Sequence, residues 1–170
     1  MNTKITTSVV KGLVISLVLI ILSVIGQVMN LDTQTWYRWL SSLLLFGGII
    51  ASCIIFSNQQ NNHVTFGNVF AEGFKTTAVI TCITIVFTVL MFLIMPELKQ
   101  RMMDLAASEA EKSGLSDEML EKQQSMFKSM FWVFILGGIM VTYLFVGALA
   151  SLVGAAAAKK KPLDPFQQPL

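Results

Sequence analysis

At 170 residues the chain has the length of one domain, yet 54% of it is hydrophobic and 13% charged, with a mean hydropathy of +0.68. A soluble domain carries about 25% charged residues, so the composition excludes that class and points to an integral membrane protein. The net charge of +2 comes with no basic stripe interleaved with aromatics, which excludes nucleic acid as a partner and leaves the lipid bilayer as the first one.

Lys4 and Lys11 precede the first apolar run, residues 12–29. That order resembles a signal peptide, but no small-x-small cleavage site follows Ile25-Gly26-Gln27, so the run is expected to remain as a first span. Crossing a hydrocarbon core of about 30 Å takes roughly 20 apolar residues, because backbone amides must pair within the segment. Runs 39–56, 76–95 and 131–151 also qualify, and none of the four contains a formal charge. Trp36, Tyr37 and Trp39 mark a membrane interface at the start of the second run, where amphipathic rings sit at headgroup depth. Within it, Gly48 and Ser52 form a small-residue pair suited to helix packing. Cys53 and Cys82 lie in apolar runs without CxxC spacing and read as small embedded hydrophobes. His63, in the polar stretch "SNQQNNHV", has no second ligand at metal-binding spacing and reads as a solvated loop residue.

The stretch "TFGNVFAEGFKTTAVI" follows. Plotted at 100° per residue, Phe66, Phe70 and Phe74 fall on one face and Asn68, Glu72 and Lys75 on the other. Because the apolar run begins only at Thr76, this turn is expected at headgroup depth, with Glu72 paired to Lys75 across one helical turn. The same five residues, Phe66, Phe70, Glu72, Phe74 and Lys75, are the candidates for contact with a partner or a lipid headgroup. Further along, Thr77, Thr81, Thr84 and Thr88 make one stripe on the third span, matched by Gly147, Ser151 and Gly154 on the fourth. Such stripes suit close helix packing better than a polar permeation path.

Residues 96–130 are patterned as two helices. Pro96 suits a first helical position, and Leu98, Met102 and Leu105 share a face. Ser113-Gly114-Leu115 reads as a stop, after which Ser116 caps a second helix with Asp117 and Glu118 in its first turn. Met119, Gln123, Met126 and Met130 are expected to carry that helix directly into the fourth span. Thioethers can hold Cu(I), but these methionines share faces with Leu98, Leu105 and Phe127, which favours packing over a metal site. No G-x-S-x-G, HExxH or paired intramembrane aspartates appear, so neither catalysis nor a cofactor is expected.

With both termini inside, the inner segments hold Lys4, Lys11, Lys75 and Lys159 to Lys161 against Glu72 and Asp164, a balance of +4; the outer segments balance to −2. The two sides tie in raw basic residues, so the orientation rests on the undiluted terminal clusters and the even number of spans. It makes 96–130 an extracytoplasmic hairpin and 159–170 a basic, then proline-containing, cytoplasmic tail.

In the order of its features the chain resembles the domain-of-unknown-function 4199 family. The matching elements are Thr65-Phe66-Gly67 followed by Phe70 and Gly73, then Ser113-Gly114-Leu115-Ser116-Asp117-Glu118, then Lys159-Lys160-Lys161-Pro162. The resemblance runs from about Lys11 to Pro162 and implies a small four-span protein of the bacterial inner membrane; it transfers no site. The expected fold is an all-α bundle of four transmembrane helices with a helical hairpin between the third and fourth. The expected function is non-enzymatic and works through contacts with a second copy or another membrane protein, as a small subunit, assembly factor or regulator. The alternative is a small oligomeric transporter or pore.

Overall fold

The computed structural model of the chain describes residues 6–29, 31, 34–112 and 117–161. Six helices follow in order: α1 (Ser8–Val28), α2 (Thr35–Gln59), α3 (Phe66–Ile94), α4 (Glu97–Lys112), α5 (Asp117–Ser129) and α6 (Phe131–Ala157). Among the described residues there is no strand, and α1, α2, α3 and α6 are long and apolar enough to cross a membrane. The expected stop at residues 113–116 and the tail from Pro162 lie outside the described residues.

All four long helices overrun the apolar runs that mark them. α3 starts at Phe66, ten residues ahead of Thr76, and α6 continues six residues past Ser151 to Ala157. Hydropathy marks where hydrocarbon ends, whereas i→i−4 hydrogen bonding continues for as long as the backbone can pair. At 1.5 Å per residue, the 29 residues of α3 extend roughly 43 Å against a core of about 30 Å. The overrun brings Lys11 into α1 and both Glu72 and Lys75 into α3, so the helices carry charges that the apolar runs lack. Thr65 caps α3, its Oγ1 accepting the Asn68 N–H at 3.2 Å. The turn from α2 to α3 is made by Asn61 and Asn62 with φ of 52° and 66°, a left-handed conformation that asparagine tolerates.

The chain divides into two compact units, with the boundaries inside α3 after Thr84 and inside α6 before Thr142. The first unit holds α1, α2, the N-terminal part of α3 and the C-terminal part of α6. Its core has one cluster of Leu19, Leu45, Ile49, Ile80 and Ala150, and another of Cys53, Val64, Val69, Ala155 and Ala158. Outward-facing positions such as Leu13, Leu17, Leu43 and Val153 are exposed and apolar, as lipid contact requires.

The second unit, residues 85–141, contains α4 and α5 packed as a hairpin. Glu97 in the first turn of α4 and Lys112 in its last complement the helix dipole. α5 does not run unbroken into α6: a turn at Met130 separates them, although Phe134 still donates to the Met130 carbonyl at 3.0 Å. Phe92, Phe127, Phe131 and Trp132 form an edge-to-face aromatic cluster with ring centroids 5.4–5.8 Å apart.

Candidate functional site: a buried ion pair joining three helices

Lys11 sits in the first turn of α1 and points inward. Its ammonium donates to Glu72 Oε1 at 2.9 Å and to the Ser52 carbonyl at 3.5 Å, and lies 5.3 Å from the centre of the Phe56 ring. The other carboxylate oxygen of Glu72 accepts a hydrogen bond from Ser8 Oγ at 2.8 Å. The side chains of Lys11 and Glu72 retain only 5% and 10% of their exposure. Glu72 therefore pairs with Lys11 on another helix, not with Lys75 one turn along its own, and Lys75 is exposed. On a 100° helix Glu72 and Lys75 stand 60° apart, enough for one to face the bundle and the other to face outward.

The pair closes into a ring of polar contacts. Thr76 Oγ1 donates to the Glu72 backbone carbonyl at 2.9 Å and meets Ser52 Oγ at 3.0 Å, while Ser52 offers its own carbonyl to Lys11. Lys11, Ser52, Thr76 and Glu72 thus link α1, α2 and α3, with Ser52 and Thr76 2% and 0% exposed. Both carboxylate oxygens are engaged and the ammonium faces a carboxylate, a carbonyl and a ring, the satisfaction a buried ion pair needs to offset its desolvation.

Small residues bring the helices close enough for this to form. A side chain at Gly73 would collide with Cys53 and Ser151, one at Gly147 with Thr77, and one at Gly154 with Cys53. Gly12 lies against Val79 and the Thr76 carbonyl, and Gly48 against Ile15. Thr77 and Thr81 are buried and bond back to the carbonyls of Gly73 and Thr77 at 3.0 and 2.9 Å; Ser151 bonds back to Gly147. Thr84 and Thr88 are only partly buried. The phenylalanines divide: Phe70 packs on the buried cluster around Val69 and stacks on Phe74, while Phe66 and Phe74 are exposed.

Sequence reading placed Lys11 among topology-setting flanks and passed over Ser8, Gly73 and Thr76 as site residues. The available signal was a lysine directly abutting a long apolar segment and preceded by Val9 and Val10, where a charge calls for a partner. The hairpin methionines Met102, Met119, Met126 and Met130 are exposed, and His63 is an exposed loop residue. No group of three or more His, Cys, Asp or Glu side chains placed to hold a metal ion occurs among the described residues.

The model of a family described as "Protein of unknown function (DUF4199)" matches residues 10–160. No curated protein and no solved structure matches the chain. The family match begins one residue before Lys11, ends one before Lys161, and so takes in the whole ion-pair ring. On that match the chain belongs to the domain-of-unknown-function 4199 family.

Proposed function

We propose that the protein is a multi-pass component of a bacterial cytoplasmic membrane, with both termini in the cytoplasm, that acts by protein contacts and not by catalysis. A small subunit, an assembly factor or a regulator fits this reading. The observation that carries it is the methionine face of the α4–α5 hairpin. The groove between the two helices is lined by Met103, Asp104, Ala107, Gln123 and Phe127, whereas Met102, Leu105, Met119 and Met126 are 42%, 48%, 60% and 49% exposed. Both helices otherwise carry a polar surface, and unbranched thioethers repack readily against a partner. A photocrosslinking amino acid at Met119 or Met126 in the native host is expected to trap one discrete protein partner. Adducts to lipid alone, from both positions, would remove the reading.

The alternative, a small oligomeric transporter or pore, draws support from Lys11 and Glu72, since an ionisable pair among spanning helices is a usual component of ion pathways. Their mutual saturation favours a fixed joint instead. Liposomes carrying the protein are expected to show no ion or solute flux above empty controls; flux lost in Glu72→Gln would reverse the preference.

A further inference from the structure

We propose that Lys159, Lys160 and Lys161, held at the end of α2, the α2–α3 turn and the first residue of α3, form a binding surface for the headgroups of acidic phospholipids. The three residues follow the end of α6, and their backbone is held at both ends. Ser57 Oγ donates to the Lys159 carbonyl, and the Lys161 N–H donates to the Asn62 carbonyl at 2.8 Å. Just before them Ala158 is buried with Cys53, Val64, Val69 and Ala155, and its N–H bonds the Gly154 carbonyl at 2.9 Å. The lysines are therefore presented from a fixed backbone, with all three side chains exposed.

Lys160 sets the depth of this surface. Its ammonium lies 5.1 Å from the centre of the Phe66 ring, and Phe66 is the first residue of α3. Because α3 overruns the hydrocarbon core at its N-terminal end, its first turn stands on the headgroup side of the core, and the long lysine stems reach back toward the lipid phosphates. Phe66 is 43% exposed and supplies an apolar contact beside the charges. No carboxylate competes among the described residues of this unit: Glu72 is its single acid, and Lys11 occupies it. Three cations on a fixed backbone at phosphate depth, next to an exposed ring, complement an anionic headgroup with its acyl chain alongside.

The test uses the full chain in nanodiscs of equal phosphatidylglycerol and phosphatidylcholine, released for native mass spectrometry of the retained lipids. The wild-type protein is expected to retain phosphatidylglycerol in clear excess. Replacing all three lysines with glutamine is expected to bring the ratio to that of the disc, and replacing all three with arginine to preserve the excess. Lys160→Gln alone is expected to lower the excess by up to about fivefold, the equivalent of about 1 kcal/mol for one lysine near an anionic surface. This variant also serves should the triple glutamine protein not fold. No excess in the wild type, or an excess unchanged in the glutamine variants, overturns the proposal. So does an excess abolished by millimolar inorganic phosphate but not by equivalent chloride, which would make the surface a site for a soluble anion.

Discussion

At Lys11 and Glu72 two opposing effects are nearly balanced. Withdrawing either charge from water is costly, and the cost is offset only because each finds the other at 2.9 Å with further polar contacts around it. Removing one partner leaves an uncompensated buried charge, for which about 3–5 kcal/mol of destabilisation is typical. Lys11→Met and Glu72→Leu are each expected to lower the Tm of the detergent-solubilised protein sharply. Lys11→Met combined with Glu72→Leu removes both charges and is expected to recover most of the loss; simple addition of the two single losses would show that the charges are not coupled. Lys75 provides the contrast: exposed and without an acid partner among the described residues, it should tolerate Lys75→Gln within about 0.5 kcal/mol. The chemistry of Glu72 was visible in the sequence and its partner was not. Spacing along one helix identifies neighbours three and four residues away, but nothing local relates position 72 to position 11.

Among the elements, close approach of α2, α3 and α6 depends on glycines that face a neighbour. Gly147→Val should drive a branched side chain into Thr77, and Gly73→Val should do so into Cys53 and Ser151, two positions where no flexible side-chain end is available to move aside. Overpacking of this kind costs about 1–3 kcal/mol, and helix association in a bilayer depends heavily on such contacts. Both variants are expected to lose the monodisperse peak in size-exclusion chromatography. Gly47→Ala has open space around the new methyl group and is expected to leave the Tm unchanged or raise it, since alanine favours the helix over glycine by about 1 kcal/mol. The small-residue stripes Gly48–Ser52 and Gly147–Ser151–Gly154 were legible from composition and spacing. Which glycines meet a side chain and which face outward was not, because Gly47 and Gly48 are identical to any local reading.

Across the whole molecule, the start of α1, the turn between α2 and α3 and the end of α6 meet at one end of the first unit, through Lys11 with Glu72 and Asn62 with Lys161. The topology proposed from the terminal lysine clusters puts both termini in the cytoplasm and residues 96–130 outside. In a background lacking Cys53 and Cys82, a cysteine replacing exposed His63 is expected to react with a membrane-impermeant maleimide only in inverted vesicles, and one replacing Ser125 only in intact spheroplasts. Labelling of both from the same side would overturn the topology. The sequence by itself determined the all-helical class, the four helices long and apolar enough to cross a membrane, and the two-helix segment between the third and fourth. Those properties follow from hydrophobic length and periodicity, which are local and survive without any knowledge of neighbours. Only the tertiary structure decided that the helices overrun their apolar runs, that Lys11 and not Lys75 neutralises Glu72, and that Lys160 rests on Phe66. Each of these depends on which faces of distant segments meet. That choice is governed by the satisfaction of buried charge and by fit between helix surfaces, neither of which a single segment encodes.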